Sequence, residues 1–252
     1  MTKGAKIATA SAVVFVLAVA VRVGLIYRAN HEDTAPAAPV AAGSGYKMSD
    51  DDATVLTLKK KYQDSMKDAK ALIGSTLWVS AGGQMDYYKD SGNHVDYAHP
   101  VGTLPGATEL DVMGVFEQVP PKTGRAIARI AAGQRHVLLA FTEPKSDDPK
   151  QLYAVPVGNF DNGAYTFLID EIFFYDDPHV LYKHWGPEMW THIDKHEPAL
   201  GMSENQAMMA LGQVINPHGD KPGDRSVTFD NDGHPVTIRF EGGKATKITP
   251  ES

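Results

Sequence analysis

Histidines form the first group of side chains that could do chemistry. Four of the ten histidines fall within a short stretch, at His179, His184, His192 and His196. His192 and His196 are four residues apart, so on a helix they would share one face. Together with Asp176, Asp177 or Asp194, two such imidazoles could bind a divalent metal ion.

A simpler alternative exists for these histidines. Ile193 stands where the HExxH signature of zinc hydrolases has its glutamate. Histidines beside Trp185 and Trp190 can equally pack two domains together while their polar edges stay in water. The sequence therefore predicts no metal and no other cofactor, and the four histidines stay as weak metal candidates.

Acidic side chains form the second candidate group. Any two of these carboxylates could act as a general acid and a general base. The candidates are Asp170, Glu171, Asp176 and Asp177. An aspartate just before Pro178 more often caps a helix, however. The segments Asp161-Asn162-Gly163 and Asp230-Asn231-Asp232-Gly233 resemble calcium loops but lack the distal glutamate, so hairpin turns are favoured. The sequence predicts no catalytic residue and no enzyme activity.

Composition narrows the function classes further. The chain has 252 residues, a net charge of −7 and no cysteine. Without cysteine there are no disulfides, thiolate metal sites or cysteine nucleophiles. Without a basic excess to neutralise phosphates, nucleic acid is not an expected partner.

The N-terminal region reads as a membrane segment. Residues 7–27 are mostly apolar and carry a single charge, on Arg22. A helix of this length spans about 30 Å, the thickness of a bilayer core. Lys3 and Lys6 favour a cytoplasmic tail at 1–6. The side chains expected to contact lipid or its headgroups are Val13, Val14, Phe15, Leu17, Arg22 and Leu25.

The rival interpretation of this region is a cleaved signal peptide, with Ala18-Val19-Ala20 as its cleavage site. An uncleaved anchor is favoured because apolar residues resume after Arg22. The sequence thus predicts a single-pass protein of the bacterial inner membrane, with most of the chain in the periplasm.

The remaining chain divides into segments by pattern. A linker at 28–48 precedes an amphipathic helix at 49–74, capped by Ser49. Short apolar runs between turns at 75–176 predict a small β-barrel or sandwich whose strand lengths resemble SH3-like domains. A helical connector follows at 177–199. The aromatic residues expected at a partner interface are Tyr87, Tyr88, Trp185 and Trp190.

Residues 200–252 carry the most specific pattern. Ser203 and Gln206 form a capping box at the start of a helix, and three strands follow at 225–229, 235–240 and 244–248. The series G-M-S-x-x-Q, L-G, V-x-F, V-x-I-x-F and G-K-x-T-x-I resembles the BamE-like (small protein A) family. That resemblance implies a helix on a three-stranded antiparallel meander and a non-enzymatic interaction module.

These features together predict an α+β fold: a transmembrane helix, an amphipathic helix, an SH3-like β-barrel or sandwich, and a BamE-like domain. The layout resembles periplasmic accessory subunits of inner-membrane complexes, such as that of a bacterial photosynthetic reaction centre. The expected function is a non-catalytic, membrane-anchored scaffold of an integral membrane protein complex, photosynthetic or respiratory, which also contacts the lipid bilayer. The alternative is an envelope ligand- or metal-binding module.

Overall fold

The computed structural model describes residues 57–81, 85–121, 134–219 and 221–251. Its first sheet is antiparallel and curls into a half-barrel, with the strand order β3-β2-β6-β5-β4-β1-β8 and with β7 paired to β6. The strands of this sheet are β1 (Thr76–Val79), β2 (Asp86–Lys89), β3 (Gly102–Thr103), β4 (Glu109–Gln118), β5 (Arg135–Thr142), β6 (Tyr153–Asp161), β7 (Ala164–Phe167) and β8 (Phe173–Phe174).

The central strand β5 is apolar on both of its faces. Val137 and Phe141 point into the main core on one side of the sheet. Leu138 and Ala140 pack on the other side against Tyr88 in a smaller core. Because successive side chains of a strand point to opposite faces, two cores require a nearly continuous apolar run. This is the run that the sequence shows at 136–141.

The second sheet is antiparallel and has four strands in the order β12-β11-β10-β9. Its strands are β9 (Val214–His218), β10 (Ser226–Phe229), β11 (Val236–Glu241) and β12 (Lys244–Pro250). The helices of the described chain are α1 (Met66–Lys70), α2 (Ile169–Ile172), α3 (Pro178–Leu181), α4 (Pro187–Asp194) and α5 (Glu204–Leu211), with a 3₁₀ turn at Lys183–Trp185.

Local signals in the sequence correspond to these elements. The capping box of Ser203 and Gln206 opens α5 as predicted, and Asp177 caps α3 with Pro178 in the first turn. Asn162 and Gly163 form the two-residue turn between β6 and β7. The three strands predicted after α5 are confirmed, and β9 is an addition. The strand predicted at 125–130 lies outside the described residues.

The predicted amphipathic helix at 49–74 is wrong over most of its described part. Only Met66–Lys70 is helical, while residues 57–64 are not. The backbone amides of Lys61 and Tyr62 donate to the Asp170 carboxylate at 3.0 and 2.8 Å. These long-range hydrogen bonds compete with helical ones, so the helix begins only at its Ser65 cap.

The predicted fold class also needs correction. The expected small barrel or sandwich is an open, curled eight-stranded sheet, and the expected three-stranded meander is a four-stranded sheet. Extra pairing by β2, β3, β8 and β9 accounts for the difference. These short strands carry too little periodicity to be read from the sequence.

The predicted inner-membrane, single-pass location is contradicted as well. Across the part of the chain that the structure describes, no helix has the length and apolar character needed to cross a bilayer. The segment 7–27 that suggested an anchor lies outside the described residues, as do Val13, Val14, Phe15, Leu17, Arg22 and Leu25.

Candidate functional site

A cleft of about 350 Å³ brings together polar side chains that are distant in sequence. The loop before β4 contributes one wall, the turn after β5 a second, and α3 and the end of α4 a third. The residues along these walls are Gly106, Ala107, Thr108, Glu109, Glu143, Lys145, Ser146, His179, Asp194 and His196. A volume of this size falls at the lower end of the range for small-molecule sites.

Close packing holds the loop wall in place. A Cβ atom added at Gly106 would lie 2.4 Å from the backbone oxygen of Met209 in α5. The Ala107 amide donates to Val79 at 2.9 Å, and the Val79 amide donates to Thr108 at 3.0 Å. The loop is thus fixed to β1 on one side and to α5 on the other, and only glycine allows that approach.

The turn wall carries an ion pair. Lys145 Nζ lies 2.8 Å from Glu109 Oε2, and this hydrogen bond raises the pKa of the Lys145 ammonium. The hydroxyl of Ser146 donates to the Glu143 carbonyl at 2.9 Å, which closes the turn. Lys145 is therefore already paired with a carboxylate of its own cleft.

Glu143 differs from the other cleft carboxylates. It is half-buried, and this burial raises its pKa. Among the described residues, no Lys, Arg or His side chain lies within ion-pairing distance of it. Its negative charge disfavours ionisation of two nearby tyrosines. Burial and then Glu143 raise the pKa of Tyr87 to about 12, and the same two causes raise that of Tyr153.

His179 is held between two carboxylates. Its Nδ1 lies 2.8 Å from Asp177 Oδ1, and its Nε2 lies 2.9 Å from Asp194 Oδ1. The ring also packs on Trp190, with centroids 4.1 Å apart. Both nitrogens and one face of the ring are thus engaged, which makes His179 a link between α3 and α4.

The other histidines do not join it in a metal centre. Helix α4 ends at Asp194, and His196 takes a left-handed φ of 56° beyond it, so it does not share the helical face of His192. Burial lowers the pKa of His196, and His184 packs near Tyr182. Within the described ranges, no three His, Asp or Glu side chains are grouped to hold a metal ion.

The candidate acid–base carboxylates are also engaged separately. Burial alone would raise the pKa of Asp170, but hydrogen bonds from Lys61, Tyr62 and Tyr175 hold it below its ordinary value. Asp176 pairs with Lys59, while Asp177 caps α3. None of the four candidate carboxylates lines the cleft, whose carboxylates are Glu109, Glu143 and Asp194.

The aromatic residues predicted at a partner interface lie mostly inside the protein. Tyr88 is buried in the smaller core under Tyr97, with their ring centroids 5.3 Å apart. Trp185 and Trp190 are buried in the core of the second sheet. Tyr87 is partly buried at the edge of the main core. These side chains contribute to packing between elements.

Three charged residues of the cleft walls, Glu109, Glu143 and Lys145, were not predicted from the sequence, whereas His179, His196 and Asp194 were named as possible metal ligands. Glu109, Glu143 and Lys145 stand singly at strand ends, with no motif around them. The one available signal was the charged turn Glu143-Pro144-Lys145 after the apolar run of β5. Charged residues at turns are common, so this signal points to no chemistry by itself.

Comparisons with protein-family models, with curated proteins and with solved structures found no match to this chain. The resemblance of residues 200–252 to BamE-like domains stays a prediction. The interpretation of the site rests on its geometry.

Proposed function

We propose that this protein is a non-catalytic docking module that binds another protein. The observation that carries this proposal is the outer edge of the second sheet. All five residues of β9 are exposed, and no other described strand pairs with its outer side. An open edge of this kind can accept an added strand from a partner.

The chemistry of β9 specifies the partner segment. Val214 and Ile215 are exposed apolar residues, and the strand Val214–His218 carries no acidic or basic side chain apart from His218. The opposite edge, β12, contains Lys244 and Lys247, the kind of residue that discourages edge pairing. Pro217 lacks an amide donor, so a partner strand would pair along Val214–Asn216. We expect the partner segment to be extended, uncharged and rich in β-branched residues.

Site-specific crosslinking tests this proposal. The full chain would carry benzoylphenylalanine at Ile215 or, as a matched control on the other edge, at Thr249. We expect a covalent adduct with a different protein from position 215 and none from position 249. Adducts from both positions, from neither, or only between copies of this chain would contradict the proposal.

A substitution gives a second readout on the complex captured in this way. Ile215→Lys places a charge on the open edge and should weaken the complex by about ten-fold or more, since charges oppose edge pairing. Thr249→Lys, on the exposed edge β12, should leave the affinity unchanged. Equal affinities for the two variants would rule out β9 as the docking edge.

A second candidate function is small-ligand binding in the cleft. The half-buried Glu143, which has no ion-pair partner among the described residues, favours it. The cleft is lined from the loop before β4, the turn after β5 and helices α3 and α4, and this construction is independent of β9.

A further inference from the structure

Charge in the cleft is unevenly balanced. Glu109 is neutralised by Lys145 at 2.8 Å. Asp194 is neutralised at most by His179 at 2.9 Å. Burial lowers the pKa of His196, which favours its neutral form. Glu143 has no positively charged partner among the described residues. The cleft therefore carries an unbalanced negative charge whenever the Glu143 carboxyl is ionised.

An ionised carboxyl away from water is unfavourable without a counter-charge. Because Glu143 is half-buried, it loses part of its hydration, and its pKa rises as a result. A cation bound from outside would restore the missing electrostatic interaction and would favour the ionised form. The cleft is therefore complementary to positive charge.

The size and surroundings of the cleft restrict the kind of cation. About 350 Å³ accommodates a small organic molecule and exceeds the space of a bare ion. Glu143 lines the cleft as a carboxylate without an ion-pair partner among the described residues. Ammonium and guanidinium groups suit such a carboxylate, because both donate charge-assisted N–H hydrogen bonds to it.

A divalent metal fits this cleft less well. Metal sites in proteins usually bring three or more ligating side chains to one point. The described part of the chain has no such group of three. The carboxylate of Glu143 is instead a single, directional acceptor suited to N–H donors.

We infer that the cleft between the β4 loop, the turn after β5 and helices α3 and α4 binds a small organic cation, whose ammonium or guanidinium group pairs with Glu143. This ligand class deepens the second candidate function and rests on it. It does not depend on β9, so the crosslinking experiment at Ile215 and the binding experiment at Glu143 can fail separately.

Calorimetric titration of the full chain tests this site. The probes are agmatine and n-butylamine, with 1-butanol as the uncharged analogue and calcium chloride as the metal. We expect saturable binding of at least one amine and no saturable binding of 1-butanol or calcium. Equal binding of 1-butanol, binding of calcium alone, or no saturable binding would overturn the inference.

Two matched variants locate the amine. Glu143→Gln should weaken amine binding by about ten-fold or more, because a charge-assisted hydrogen bond becomes a neutral one. Glu188→Gln, on the exposed surface of α4 outside the cleft, should leave the affinity unchanged. Among the residues that the structure describes, the Glu143 side chain has no hydrogen-bond partner to lose. An unchanged or raised thermal midpoint would show that the variant is folded. A folded Glu143→Gln protein with wild-type affinity would overturn the inference.

Discussion

At the scale of single residues, environment decides what each ionisable group can do. Asp170 and Glu143 are both partly buried carboxyls, yet their pKa values move in opposite directions. Asp170 receives backbone amides and a phenol, which stabilise its charge, whereas Glu143 receives no counter-charge. Hydrogen bonding outweighs desolvation in the first case, and desolvation dominates in the second.

Glu143 should therefore lower stability as pH rises. Burial raises its folded-state pKa above the ordinary value of 4.5, so between the two values the native state holds a proton that the unfolded state has lost. The free energy of unfolding falls with increasing pH across that window. At pH 7.5, Glu143→Gln should be more stable than wild type, by less than about 1 kcal/mol because the group remains partly hydrated.

Urea unfolding at a series of pH values measures this difference. The gain from Glu143→Gln should disappear near pH 4, where the wild-type carboxyl is protonated in both states. Glu188→Gln, which changes an exposed carboxyl, should show no comparable trend. If wild type were more stable than Glu143→Gln at pH 7.5, the Glu143 carboxylate would not be an uncompensated charge.

At the scale of elements, long-range hydrogen bonds override helical periodicity. Residues 57–64 have apolar residues at helical spacing, but Tyr62 is exposed with a left-handed φ of 49°. The segment is held by Asp170, by the Lys59–Asp176 ion pair, and by Gln63, which donates to the Tyr175 hydroxyl at 2.8 Å. We call residues 57–64 the strap.

Removing the charge at Asp170 should release the strap. Asp170→Asn keeps the shape of the side chain but weakens its hydrogen bonds with Lys61 and Tyr62, at a cost of about 1–2 kcal/mol in unfolding free energy. Trypsin should then cut more rapidly after Lys59, Lys60 and Lys61, as followed by mass spectrometry. Asp147→Asn, at an exposed turn, should leave the cleavage rate unchanged. Identical digestion of both variants would mean that Asp170 does not hold the strap.

At the scale of the whole described body, the two sheets share side chains. Phe174 belongs to β8 of the first sheet but is buried in the core of the second, and Trp78 of β1 packs against that same core. The Gly106 loop contacts α5, whose buried residues belong to that second core. Because this loop also lines the cleft, the geometry of the cleft depends on how the loop packs against α5.

A methyl group at Gly106 should disturb this shared packing. Gly106→Ala places a Cβ 2.4 Å from the Met209 backbone oxygen, and backbone can move only at the expense of neighbouring contacts. We expect a loss of about 1–3 kcal/mol in unfolding free energy, as for overpacked cores. Gly114→Ala is the control, since its Cβ would meet Ala140 at an ordinary 3.6 Å.

Thermal unfolding followed by tryptophan fluorescence suits this comparison, because Trp78, Trp185 and Trp190 all lie in or against the second core. The midpoint should fall for Gly106→Ala and change little for Gly114→Ala. Equal midpoints would show that the approach of the loop to α5 does not contribute to stability.

Sequence by itself determined the features that depend on neighbouring residues. The Ser203 capping box, the Asp177–Pro178 helix start, the Asn162-Gly163 turn and the apolar run of β5 follow from local hydrogen bonding, fixed φ angles and side-chain alternation. These features recur in the structure because their energetics involve only a few adjacent positions.

Tertiary structure alone decided which polar groups meet. Glu109, Glu143, His179 and Asp194 come from separate elements, and the strap is non-helical because Asp170 lies more than a hundred positions away in sequence. Burial and pairing set the charge and reactivity of these groups, and both depend on how distant segments pack. Spacing along a chain carries no information about such contacts. The histidine spacing therefore offered only weak metal candidates, and it did not predict the cleft that contains Glu143.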